Sequence, residues 1–124
     1  MTKYKLSRRS LKNMKGINPK LQIIIGLMLD RSPYDFIITE GLRTEERQRI
    51  LVDTGKSTTM KSYHLRGDAF DIAMINEKGN VTWDKKYYQE FADVVYKLAS
   101  RLGFNIKWGG DWKSFQDCPH FQVK

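Results

Sequence analysis

Hydrophobic positions along this chain switch between two periods, and the switches mark its elements. Residues 84–103, DKKYYQEFADVVYKLASRLG, place Tyr87, Phe91, Val94, Val95, Leu98 and Leu102 at three-and-four spacing. That spacing lines one face of a helix, and Gly103 stands where the helix should stop. In INPKLQIIIGLMLDRSP, residues 17–33, Leu21, Ile24, Ile25 and Met28 form a second stripe. Asn18 is placed to cap it, Pro19 suits its first position and Pro33 lies beyond its end. SRRSLKNM, capped by Ser7, predicts a short helix, and TEERQRILVDTG predicts another. In the latter, Thr44 caps, Glu45 and Glu46 favour the positive end, and Gly55 closes.

The period drops to two elsewhere. YDFIITEG, DAFDIAM, FNIKW and HFQVK read as strands, with NEKGN turning DAFDIAM back into a short VTW return. KSTTMKS, residues 56–62, and GGDWKSFQDCP, residues 109–119, read as loops. Helices interspersed with short strands predict an α+β fold, a small antiparallel sheet with helices packed on it. With 124 residues and neither repeat nor linker, the chain reads as a single domain, 1–124.

Composition narrows the partners. A formal charge of +8 favours an anionic one, although the same charge also serves solubility. The basic residues are scattered and no nucleic-acid motif appears, so no nucleic acid is expected. Lys3, Lys5, Arg8, Arg9, Lys12 and Lys15 form a basic face that either meets an anionic wall or outer-membrane polymer or is simply solvated. The single cysteine, Cys118, excludes an internal disulfide. The longest apolar run, IIIGLML at residues 23–29, is far shorter than the ~20 residues a membrane span needs. Asp30 and Arg31 follow it where a signal peptide would have small residues. The expectation is a monomer made in the cytoplasm, without stable membrane insertion, that relies on another factor for release.

The chain has only two histidines, and strand parity brings both towards a carboxylate. In AFDIAM, Phe70, Ile72 and Met74 share the core face, so Asp71 points the other way between two alanines. In HFQV, Phe121 and Val123 face inward while His120 and Gln122 face opposite. If the two strands are neighbours, Asp71 and His120 converge, and His64 at the mouth of the first strand closes the group. Two imidazoles and one carboxylate are a common set for catalytic zinc, with a position left for water. Spacing alone equally allows solvated histidines and an ion-paired aspartate.

SYHLRGDAFD, residues 62–71, follows the S-x-H-x-x-G-x-A-x-D pattern of the zinc peptidases that include D-Ala-D-Ala carboxypeptidases and L-alanyl-D-glutamate endopeptidases. DCPHFQV resembles that family's second motif, and TEGLRTEERQ resembles the segment supplying its arginine. With the WGGDWKSF lead-in, the spacing is most similar to the phage endolysin L-alanyl-D-glutamate peptidases. The resemblance implies a Hedgehog/D-Ala-D-Ala-peptidase-like fold and one Zn2+ per chain, held by His64, Asp71 and His120. It implies that Asp117 is the general base and acid, and that Arg43 meets substrate or the developing oxyanion. It also implies that Ser62 hydrogen-bonds within the site, and that the substrate is the peptidoglycan stem peptide, cut at its L-alanyl-D-glutamate bond. Asp68 stands where relatives often carry a basic residue, and strand parity points it away from Asp71.

Rival readings remain. The same motifs occur in D,D- and L,D-carboxypeptidases. A basic wall- or nucleic-acid-binding module and a thiol hydrolase using Cys118 belong to other classes. Without the resemblance, Arg43 reads as an ion pair with Glu40 or Glu46. Trp83, Trp108 and Trp112 are either groove or core, with Trp83 and Trp108 favouring core.

Overall fold

The computed structural model describes residues 2–57, 59–114 and 116–124. Thr58 and Phe115, which fall in the two expected loops, lie outside the described residues. In chain order the elements are α1 (Arg8–Met14), α2 (Pro19–Arg31), β1 (Phe36–Glu40), α3 (Glu45–Asp53), β2 (Ala69–Ile75), β3 (Val81–Thr82), α4 (Lys85–Leu102), β4 (Ile106–Trp108) and β5 (His120–Val123). Short 3-10 turns at Tyr63–Arg66 and Gly109–Asp111 complete them. The expected caps form: the side chains of Ser7, Asn18 and Thr44 each accept a backbone N–H of the helix they precede.

The sheet runs β1-β2-β5-β4, with β3 paired to the far end of β2, and every pairing is antiparallel. Phe70, Ile72 and Met74 are fully buried on one face, where they meet α2 residues Leu21, Ile24, Ile25 and Met28 and α4 residues Phe91 and Val95. The expected core of α2 and β2 is the observed one. Edge strand β1 is covered by α1 through two polar side chains: Ile38 N–H donates to Ser10 Oγ at 2.9 Å, and Asn13 Nδ2 donates to Ile38 O at 2.9 Å. Both outward backbone groups of Ile38, at the middle of the edge, are thereby satisfied.

Several expected core positions shift. Leu102 is 44% exposed and Val94 only half-buried, while Tyr88, Ala92 and Ala99 go inside. Tyr88 is admitted because both roles of its hydroxyl are met: it accepts Met74 N–H at 3.1 Å and donates to Thr82 O at 2.7 Å. Val123, next to the C-terminal residue, is half-buried. Trp108 is core, but Trp83 is 65% exposed and lies parallel to the Tyr88 ring, because β3 ends at Thr82 and carries it past the sheet edge.

Candidate metal centre and active-site cleft

The opposite face of the sheet carries the polar residues. Asp71 pairs directly with His120 across β2 and β5, and Glu40 lies opposite Asp71 on β1, where the register shifts by a bulge between Ile38 and Glu40. His64 arrives from the 3-10 turn before β2. Ser62 caps that turn by accepting His64 N–H at 3.2 Å, and Gly67 ends it at φ +73°, a left-handed conformation that suits glycine. A Cβ at Gly67 would also crowd the backbone of Gly16 and Ile17. The glycine of the motif therefore sets the return of the chain that places His64.

His64 Nε2, His120 Nδ1 and Asp71 Oδ1 converge, separated by 3.2 Å (His64–His120), 3.1 Å (His64–Asp71) and 3.0 Å (His120–Asp71). Among the described residues this trio is the group able to hold a metal ion. The outer ring nitrogens are fixed: His64 Nδ1–H donates to Gly41 O at 2.8 Å, and His120 Nε2–H donates to Gln122 Oε1 at 2.8 Å. Each neutral imidazole then turns a lone pair inward. Three acceptors this close repel one another unless a cation lies among them. Ligands about 2.0–2.1 Å from a tetrahedral zinc stand roughly 3.3 Å apart, close to the observed separations. The donor set therefore fits zinc in both type and spacing.

The same closeness shifts the titration of Asp71 and His120 in opposite directions. Burial opposes charge on Asp71, but hydrogen bonds and charge from His120 and His64 outweigh it and hold the carboxyl well below the usual range. Burial likewise opposes protonation of His120, and its hydrogen bond to Asp71 prevails, raising the imidazole above its ordinary value.

Arg43 borders the trio, 91% buried at its side chain, with Nη2 4.0 Å from Asp71 Oδ2. Its partner is Glu40 rather than Glu46, a two-point ion pair at 2.8 and 2.7 Å. Nη1 donates to Gln48 Oε1 at 2.6 Å and to Ser62 Oγ at 3.5 Å. The guanidinium separates two carboxylates that the sheet register sets side by side. Asp117 lines the same cleft without joining the trio. Its backbone lies against Gly109, whose carbonyl accepts Asp117 N–H at 3.0 Å, and a Cβ at Gly109 would collide with it. Burial, then the charge of Asp71, raises the Asp117 pKa, against smaller opposing effects of His120, His64 and Arg43. Trp112 forms another wall, its ring centroid 5.2 Å from that of His120. The open cleft has a volume of about 730 Å³.

Cys118 is absent from both trio and cleft, and its carbonyl accepts Trp108 Nε1–H at 2.6 Å. Asp68 points elsewhere, bonded to Asn18 at 3.1 Å and Arg66 at 3.3 Å. Two glutamines of the site were given no role by the sequence reading. Gln122 was legible from parity, two residues from His120. Gln48, fully buried, was legible only as a polar residue on the inward face of α3, beside Leu51. Its amide joins Arg43 to Ser57 Oγ, at 2.9 Å, and to Thr59 O. Gln48→Leu should strand an Arg43 N–H and lower stability by about 1–3 kcal/mol, read as a lower denaturant midpoint at unchanged slope. An unchanged midpoint would count against this network.

The description "Phage L-alanyl-D-glutamate peptidase" names the family model that matches residues 2–122. This chain belongs to that family. Similar curated proteins include the L-alanyl-D-glutamate peptidase of Listeria phage A118, 39% identical over 98% of this chain and 43% of the relative. The L-alanyl-D-glutamate peptidase of Escherichia phage T5 is 31% identical over 98% of this chain and 90% of its own length. The peptidoglycan L-alanyl-D-glutamate endopeptidase CwlK of Bacillus subtilis is 35% identical over 72% of this chain and 60% of that protein. The chain thus spans less than two thirds of two of these three relatives. Among solved structures, the Serratia marcescens L-Ala D-Glu endopeptidase ChiX superposes with a TM-score of 0.88 at 39% identity, covering 96% of this chain and 89% of that one. The α+β fold expected from the order of helices and short strands is the one observed, and the match to ChiX agrees with the fold that the family resemblance implied.

Proposed function

We propose that this chain is a single-domain, monomeric zinc endopeptidase that hydrolyses the L-alanyl-D-glutamate bond of peptidoglycan stem peptides, as a phage lysis enzyme acting on the wall after another factor releases it. The observation that carries the reading is the inward convergence of His64 Nε2, Asp71 Oδ1 and His120 Nδ1 within 3.2 Å, beside a carboxylate outside the set. His64, Asp71 and His120 would hold one zinc ion. When bound, zinc supplies Lewis acidity, which acidifies water to a pKa of about 7 and polarises a carbonyl. Asp117, its carboxyl raised by burial, takes the proton of the attacking water and passes it to the leaving amine. Arg43 holds Asp71 and adds positive charge beside the site of the developing oxyanion, and Ser62 fixes both Arg43 and the His64 turn. The basic surface is proposed to favour anionic wall or outer-membrane polymers.

Digestion of purified peptidoglycan followed by mass analysis tests the bond cut. The expected product carries a new N-terminal D-glutamate. Release of a terminal D-alanine without that product would instead make the chain a carboxypeptidase, and intact walls would leave a binding module.

A further inference from the structure

Resting on the endopeptidase reading, we infer that Lys56 and Lys61 form a carboxylate-recognising rim that makes the enzyme prefer stem peptides whose D-glutamyl residue keeps a free carboxylate. A glutamyl residue whose nitrogen is in the scissile amide and whose chain continues through one carboxyl retains a second carboxyl. That group is an anion unless amidated, and it lies within one residue of the bond to be broken.

Arg43 is poorly placed to meet this anion. Its Nε and Nη2 pair with Glu40 and its Nη1 donates to Gln48 and Ser62, so the donors that would grip a second carboxylate are engaged while its charge still borders the metal centre. Lys56 and Lys61 line the same cleft as the trio, and neither ammonium has a partner among the hydrogen bonds and ion pairs of the described residues. Their backbone is anchored on both sides. Lys56 N–H donates to Leu51 O at 2.8 Å at the end of α3, and Lys61 N–H donates to Thr59 Oγ1 at 2.9 Å. Gln48 ties Ser57 and Thr59 to Arg43, so the segment carrying the lysines is joined to the wall of the metal centre. The carboxylates that line the cleft are already engaged: Glu40 by Arg43, Asp71 by the histidines, and Asp117 in the proposed proton transfer. What remains is two exposed lysines on the lining of a cleft whose substrate brings an anion.

The test uses the zinc-loaded protein and two synthetic stem peptides that differ only in a carboxylate or a carboxamide on the glutamyl residue. The parent should favour the carboxylate in kcat/KM on the order of three- to tenfold, as two exposed ion pairs allow. The preference should lie mainly in KM and shrink with added salt. In the Lys56→Gln/Lys61→Gln double variant the ratio should fall to near one, and Lys56→Arg/Lys61→Arg should keep it. Equal rates for the two peptides in the parent, or an undiminished ratio in the glutamine variant, would overturn the inference. Cleavage of neither peptide, with no D-glutamate N-termini from whole walls, would bring down the functional reading and this inference with it.

Discussion

Replacing His120 with alanine should remove metal and activity together. Zinc content should fall from about one ion per chain to near zero. The remaining His64 and Asp71 cannot match a three-protein-ligand catalytic site. Turnover on stem peptides should drop on the order of a thousandfold or more, because Lewis-acid stabilisation amounts to several kcal/mol and each ~1.4 kcal/mol is tenfold in rate. Zinc should raise the melting temperature of the parent and leave that of the variant unmoved, since an ion that binds only the folded state adds to its stability. Cys118→Ser is the contrast: with its side chain outside the trio and the cleft, it should keep both zinc and activity. Metal analysis, thermal melts and peptide hydrolysis read all three effects. A His120→Ala protein that retains zinc and cleaves, or a Cys118→Ser protein that does neither, would refute the assigned ligand set.

The parts of this architecture legible in the sequence are those set by local rules. The α2 stripe, the caps at Ser7, Asn18 and Thr44, and the two-residue parity that puts Phe70 inside and Asp71 outside each depend on a few neighbouring residues. Parity went further, since it directed Asp71 and His120 to the same face before their strands were known to be paired. The rest depends on register and packing. That Glu40 lies beside Asp71 follows from a bulge in β1, and that proximity explains why Arg43 is held between two carboxylates. Sequence spacing offered Glu46 as readily as Glu40. The role of Gln48 was hidden because a polar residue on a charged helix looks solvated until its partners, Arg43 and Ser57, are known. Trp83 misled because a large indole is more often buried, whereas the strand ends one residue earlier and leaves this one outside.

Asp117→Asn should separate catalysis from metal binding, with an effect of opposite sign on stability. Asp117 stands three residues before His120 but outside the converging trio, so its amide replacement should retain about one zinc. Turnover should fall on the order of a hundredfold or more, the scale of general acid–base catalysis, because an amide cannot accept the water's proton. The stability effect follows from the raised pKa of Asp117, caused first by burial and then by the charge of Asp71. A carboxyl raised in the folded state binds its proton more tightly there than in the unfolded chain. Its contribution is therefore fully present below the ordinary value of 3.8 and is lost as pH climbs through the raised value. At neutral pH the metal-free parent bears the cost of a buried, ionised carboxylate, and the asparagine variant does not. Metal-free Asp117→Asn should thus be at least as stable as the parent at pH 7, and this advantage should vanish near pH 3. Asp117→Glu keeps the base on a longer arm and should recover part of the lost turnover. Denaturant melts of the metal-free proteins at the two pH values, with zinc content and peptide hydrolysis of the loaded ones, decide the matter. Near-parental turnover in Asp117→Asn, or a loss of activity that merely tracks a loss of zinc, would remove Asp117 from the proton-transfer role.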